Sequence, residues 1–547
     1  MLRFLIPLFL MAFPLNAQTR AQVMDHVFVT AQRAGVTAAS AALAQSATRI
    51  AAGSADLAAL LRQQQDSGAE LQMLTERLAT VAENTGAAAE TLQGELAQEI
   101  ADIRARLRAL DTRIGAKFPE FRELTNPAPL TIAQVQSVLD PDEALLFTFS
   151  DQYYTYSWAI SPKNADWHRA EIDLSARNER VKTLRQQVSA QGGERAGVAL
   201  NPGARPTGRA FDRTTAHEIY AQFFAPLEHV FGDAAHLMTV VDGPLTSLPL
   251  ALLVRRPPMG GDDDPTALRT TDWLVRQHAL TTLPNVSALR VLRFARGRLN
   301  TEDKDPFIGF GNPVLGYQLA QGPADASAPT VITRGVYEDV RRVADLAPLP
   351  NTARELRRLA ATMGADPEAV YLAENATEAQ VKDTDFSRVR VVAFATHGLL
   401  ADGLPGLNEP ALVFSIPDTP TERDDALLTA SEAAQLKLAA ELVILSACDT
   451  AGSDGTPGAE GLSGLARAFL YAGARAILVS HWPVDDFAAS VLTTSMLDGM
   501  YGADSRPRAE ALRAAMLTLL EDESETRFAH PRLWAPFVLV GEGGGDT

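Results

Sequence analysis

The sequence predicts an α/β protein: a mainly parallel sheet flanked by helices, preceded by an α-helical hairpin or short bundle. Three observations carry this. Apolar residues between about 20 and 117 recur in steps of three and four, the period of one helix face. Short, β-rich apolar runs begin beyond Phe118-Pro119. From Pro306 onward, strand-like and helix-like stretches alternate, and the strands read as continuous apolar runs, as parallel strands covered on both faces do.

Taken in order, residues 1–17 read MLRFLIPLFLMAFPLNA: a basic start at Arg3, an apolar stretch, and a small residue at Ala17. This is the layout of a secretory signal peptide, with an uncleaved anchor as the alternative; the run is short for a bilayer span. No other stretch approaches eighteen apolar residues, so no stable membrane span is expected in the mature chain, which is addressed to the periplasm or the exterior. Residues 18–126 form a helical region. Leu71, Leu74, Leu78 and Val81, then Leu92, Leu96, Ile100, Ile103, Leu107, Leu110 and Ile114, lie on single stripes, broken at Asn84-Thr85-Gly86. Such stripes bury against another helix, as hairpin, bundle or coiled coil, and offer a surface to a protein partner or a second copy. Expected strands follow at Ala144 to Ser150, Tyr153 to Ile160, Leu237 to Val241 and Ala279 to Leu283, with a helix over Thr214 to Phe231. Beyond them come strand Phe307 to Phe310, helix Thr352 to Met363, strand Val389 to Ala395, helix Thr429 to Leu436, strand Leu442 to Ser446, helix Leu462 to Tyr471 and strand Ala476 to Val479.

Composition excludes several functions. The 67 acidic residues outnumber 49 basic ones, a net charge of -18, which disfavours a nucleic-acid binder. One cysteine, Cys448, allows neither an intramolecular disulfide nor a Cys-rich zinc site. Asp262, Asp263 and Asp264 lack the spacing of a calcium loop. Glycines at 452, 455, 458, 461 and 464 lack the Lys-Ser or Lys-Thr ending of a phosphate loop, and Gly461-Leu462-Ser463-Gly464 is one residue short of a nucleophile elbow. No His-Glu-x-x-His motif occurs, and no cofactor is expected.

Ligands of parallel α/β sheets bind beyond the carboxyl ends of the strands. There the chain places Thr396-His397-Gly398 after one strand and Ser446-Ala447-Cys448-Asp449-Thr450 after another, 51 residues on. A lone cysteine is commonly a small buried apolar group and a lone histidine a structural one. Two of them at consecutive sheet ends make a nucleophile and a proton carrier.

The surrounding residues resemble the CHAT family of caspase-like cysteine peptidases. The likeness is carried by Ala395-Thr396-His397-Gly398, Leu445 to Thr450, Gly458 to Phe469, Ala472-Gly473-Ala474, Ser480 to Asp486 and His530 to Gly541. Val241 to Pro249 and Leu349 to Glu355 are similar to its leading parts. The resemblance implies a caspase-like sandwich with a pseudo-catalytic half at 127–299, a catalytic half at 300–541 and a tail at 542–547. It implies that Cys448 attacks a peptide carbonyl, that His397 assists proton transfer to the leaving amine, and that the N–H groups of Gly398 and Cys448 hold the oxyanion. Relatives include separases and gingipains, some of which cut after basic residues. A basic side chain would need a carboxylate, for which Asp485, Asp486 and Asp449 are the candidates. Asp485 and Asp486 serve equally well as helix caps. His481 is the second candidate base, and Trp482 a pocket wall. Two readings stay open: an exported cysteine endopeptidase acting on a protein or peptide, and a non-catalytic envelope scaffold of the same fold.

Overall fold

The computed structural model describes residues 17–34, scattered positions of 60–78, 87–117, 129–189, 209–295, 304–315 and, apart from single positions, 343–399, 407–446 and 464–544. The segment read as a signal peptide lies outside this set but for Ala17, as do Cys448, Asp449 and the glycine-rich stretch 451–463.

An α/β sandwich forms around one eleven-stranded sheet. The first half supplies β1 (Glu143–Ser150), β2 (Tyr154–Ile160), β3 (Ala165–Glu171), β4 (His236–Val240) and β5 (Ala279–Thr282). The second supplies β6 (Asp305–Gly311), β7 (Val370–Leu372), β8 (Val389–Ala395), β12 (Leu442–Leu445), β13 (Ala476–Ser480) and β14 (Phe537–Gly541). The spatial order is β3-β2-β1-β4-β5-β14-β13-β12-β8-β6-β7, so the last strand of the chain joins the two halves. Parallel pairing runs through β1–β4–β5 and through β13–β12–β8–β6–β7. The β1–β2–β3 meander and the β13–β14 pair are antiparallel.

Alternation divides the strands between two cores. Leu442 and Ile444 of β12, with Val391, Ala393 and Ala395 of β8, face one side. Val443 and Leu445, with Val392 and Phe394, face the other. The first side is covered by α3 (Leu174–Val188), α5 (Pro350–Thr362), α7 (Asp486–Tyr501) and α8 (Arg508–Glu521), the second by α4 (Val286–Ala295) and α6 (Gly464–Ala472). Gly473 ends α6 at φ 122°, where a Cβ would stand 2.2 Å from the Leu438 carbonyl oxygen; only glycine turns the chain into β13 here.

The helical region divides in two. In α2 (Ala87–Lys117), Leu96, Ile100 and Ile103 pack on Leu74, with Leu71, Leu78, Leu92 and Leu107 at the margins, the hairpin stripe expected. Helix α1 (Ala17–Ala34) instead docks on the first half. Its Phe28 is fully buried, with its ring 5.5 Å from Phe147 and 6.0 Å from Trp158. The Gln32 amide donates to the Leu130 carbonyl at 2.8 Å and accepts from the Leu130 N–H at 3.0 Å. Among the described residues, no helix is long and apolar enough to cross a membrane.

Candidate active site

Strand β8 is apolar apart from Arg390 and almost wholly buried, and it delivers Thr396 and His397 at its carboxyl end. The connection from there to β12 is more than a helical crossover. A second, three-stranded sheet intervenes, β11 (Leu427–Thr429), β10 (Ala411–Val413) and β9 (Gly398–Leu399), packed antiparallel. Its middle strand clamps the histidine. The Thr396 hydroxyl donates to the Val413 carbonyl, and the Val413 N–H donates to the His397 carbonyl at 2.9 Å. His397 is buried, at 6% exposure. Gly398 lies opposite Leu412, and the rung bonding Val413 to His397 makes that a non-hydrogen-bonded pair. The Gly398 N–H therefore points off the β9–β10 ladder.

Strand β12 lies beside β8, with Leu442 opposite Val391 and Leu445 opposite Phe394. The rung from the Ser446 N–H to the Phe394 carbonyl, 2.9 Å, carries the pairing one residue past the strand. Cys448 and Asp449 come next, outside the described residues.

On the other flank β13 ends in His481 and Trp482. The His481 N–H donates to the Pro536 carbonyl at 2.9 Å, and its own carbonyl accepts from Arg185 Nη1 at 2.6 Å. Burial, with help from Arg185, lowers the His481 pKa to about 3, so its imidazole is neutral at physiological pH. The Trp482 ring is fully buried among apolar residues, and its Nε1–H donates to the Arg532 carbonyl at 2.9 Å. Asp485 caps α7, accepting from the N–H groups of Phe487 and Ala488, both at 3.1 Å, and pairs with Arg527 at 2.9 Å. Asp486 begins that helix. Sequence reasoning missed Arg185 and Val413. Arg185 stands 296 positions before the carbonyl it holds, and Val413 is one apolar residue among many, so neither carries a local signal.

A family model described as the CHAT domain matches residues 213–542. Tetratricopeptide repeat protein 28 of Homo sapiens is 25% identical over 374 residues, 61% of this chain and 13% of that protein. The protein of that name from Mus musculus is 38% identical over 133 residues, 24% and 5% of the two lengths. The chain thus spans a small fraction of the curated relatives it matches. Among solved structures it is similar to the Saccharomyces cerevisiae separase–securin complex, with a TM-score of 0.41 at 9% identity over 78% of this chain and 31% of that one. It is similar also to the Arg specific cysteine proteinase gingipain R, with a TM-score of 0.34 at 11% identity over 67% and 74%.

Proposed function

Because this chain belongs to the CHAT domain family, we propose that it is an exported cysteine endopeptidase. The observation that carries the reading is the β8–β12 register. The strands pair at an offset of 51 positions, and Cys448 comes after His397 by the same 51. Adjacent strands lie about 4.8 Å apart, within reach of one peptide bond.

In the proposed reaction the Cys448 thiolate attacks the scissile carbonyl. The N–H groups of Gly398 and Cys448 hold the tetrahedral oxyanion. His397 gives a proton to the departing amine, leaving a thioester that water then hydrolyses with His397 as base. A basic side chain before the cleaved bond would fall to Asp449 or Asp486, since the cap and Arg527 occupy the Asp485 carboxylate. His481 and Trp482, expected as second base and pocket wall, are buried instead, at 5% and 0% exposure, and line no pocket among the described residues. Export to the periplasm or exterior rests on residues 1–17, and partner binding on the stripe within 18–126.

The scaffold reading draws support from the relatives, which are named for a repeat rather than a reaction. Labelling the purified chain with acyloxymethyl-ketone peptides bearing Arg, Lys or Leu separates the two. Wild type should be modified and Cys448→Ala should not. Equal labelling of both removes the nucleophile, and labelling of neither favours the scaffold.

A further inference from the structure

We infer that the outer edge of β3 is a self-association surface, along which two copies of the chain pair antiparallel about a two-fold axis through His168. This surface is separate from the helical stripe within 18–126 and does not depend on the peptidase reading.

The eleven-stranded sheet ends in β7 on one side and β3 on the other. Strand β7 has three residues, too few to template another strand, whereas β3 has seven. Hydrogen bonding decides which groups of β3 face outward. The Asn164 carbonyl accepts from the Ser161 N–H at 2.8 Å, and the Ile172 N–H donates to the Tyr153 carbonyl at 3.0 Å. Even-numbered residues therefore bond toward β2, and the N–H and C=O groups of Ala165, Trp167, Arg169 and Glu171 point away from the sheet. Among the described residues no strand takes them up. The Gln222 amide meets the Glu171 carbonyl at 3.2 Å, and the Trp167 N–H is held by the carboxylate of its own neighbour Asp166 at 2.9 Å.

The side chains along this edge complement themselves. Half-buried Trp167 stands in a row with Tyr156 and Trp158, its ring 6.1 Å and 5.9 Å from theirs. Two residues on, Arg169 is exposed and lies 4.7 Å from the centre of the Tyr154 ring, with no carboxylate partner among the described residues. A second copy centred on His168 sets Trp167 against Arg169 of the other chain twice, indole against guanidinium. Ala165 then meets Glu171, Asp166 meets Ala170, and no like charges oppose. Outward groups must meet outward groups, so the pairing slips only in steps of two. Either step unpairs an end of the strand, and one of them sets Arg169 against Arg169. The Trp167 N–H passes to the Arg169 carbonyl of the second copy, while Asp166 keeps Arg20 at 3.2 Å and His229 at 3.3 Å. The two-fold pair closes on itself, because the joined sheet ends in the short β7 on both sides.

The test is sedimentation equilibrium of the purified full chain. Wild type should dimerise with a Kd on the order of 10 μM, as fits a small interface built on one strand. Arg169→Glu, at an exposed position, should weaken the dimer by about tenfold or more. Arg169→Pro removes an outward N–H that β2 does not use, a change an edge strand tolerates, and should leave a folded monomer. If the proline variant does not fold, Arg169→Glu carries the test. In a Cys448→Ser background, oxidation should link His168→Cys chains to one another and should not link Asp166→Cys chains, which face Ala170. Linkage through Trp167→Cys in place of His168→Cys would move the axis and overturn the assigned pairing. A wild type that stays monomeric up to about 100 μM, or a dimer that Arg169→Glu and a folded Arg169→Pro both leave unchanged, overturns the inference.

Discussion

The carboxyl ends of β1 and β4 in the first half and of β8 and β12 in the second are the same kind of place, and they are furnished in different ways. In the first half, polar groups close on one another. The Asp242 carboxylate accepts from the Thr148 hydroxyl at 2.9 Å, the Ser150 N–H at 2.7 Å and the Ser150 hydroxyl at 3.2 Å. Thr155, beside Ser150, takes Arg177. In the second half the bonds go to the backbone, where Val413 pins Thr396 and His397 before the chain delivers its one thiol. Ending a strand at such an edge does not make a site. What distinguishes the second edge is that its fixed element is a main chain carrying an imidazole.

The largest expected effect tests that contrast directly. His397→Ala should lower kcat/KM by on the order of a hundredfold to ten-thousandfold, with the melting temperature little changed. A loss below threefold would make His397 a structural residue and reopen the choice of base. Next in size is the acid limb of stability in the first half. Glu143 is buried, which alone would raise its pKa, but the His236 hydrogen bond and the Arg293 guanidinium overcome this and lower it from 4.5 to about 2. Arg293 also bonds Glu542 at 3.2 Å, tying α4 to the end of β14. Because the folded pKa is depressed, this stability is complete above the unfolded value and is lost as pH falls from about 4.5 toward 2. The gap corresponds to about 3 kcal/mol. Urea unfolding of wild type and Glu143→Gln from pH 2 to 6 should converge at the acid end; parallel curves would show that the network does not hold the charge.

The third variant is Asp242→Ala. It leaves the Ser150 N–H and two hydroxyls without their acceptor and should cost about 2 kcal/mol of stability. Cleavage by the fraction still folded should stay at the wild-type rate. Loss of activity well below the melting transition would mean that the first edge is functional too, and that closure of its polar groups is not what sets the two apart.

How far the sequence reaches is visible in particular residues. Val389 to Ala395 was legible to the residue, because a strand buried on both faces is apolar along nearly its whole length, here with Arg390 as the single exception. Strand β3, Ala165–Glu171, was not. It is an edge strand, only its Ala170 is buried, and its sequence ADWHRAE has no alternation to read. The helix expected over Thr214 to Phe231 breaks at Phe224, because Pro226 cannot donate to a continuing ladder; Arg213–Phe223 and Glu228–Phe231 are separate helices. The insertion of β14 between β5 and β13 joins residues some 260 positions apart, and pairing at that distance leaves no mark on a local window. The same holds for the site. His397 stands out as a candidate because a polar residue ends an apolar strand, whereas the clamp by Val413 and the reach of Arg185 exist only once the chain is folded.

A further effect has the opposite sign to that of Glu143. Glu378, on the short helix Glu378–Asp383, is fully buried, and its carboxylate lies 2.5 Å from the Lys382 ammonium. That ammonium is shared with Glu432 at 2.6 Å, and Asp425 donates its N–H to Glu378 at 2.8 Å. Three carboxylates surround one cation, so one of them keeps its proton. Burial raises the Glu378 pKa to about 8; Lys382 opposes this, while Asp425 and Glu432 reinforce it. An acid whose folded pKa is raised takes up a proton on folding between its unfolded value and its folded one. Stability contributed here is therefore present at low pH and lost as pH rises from about 4.5 to about 8. Glu378→Gln carries the neutral shape permanently and should flatten that slope, leaving the variant equal to wild type near pH 5 and more stable at pH 9. Calorimetric melting of both proteins from pH 5 to 9 measures the difference. A difference that does not change with pH would mean that Lys382 neutralises Glu378 completely, and that the cluster binding this helix to β11 is an ordinary ion pair.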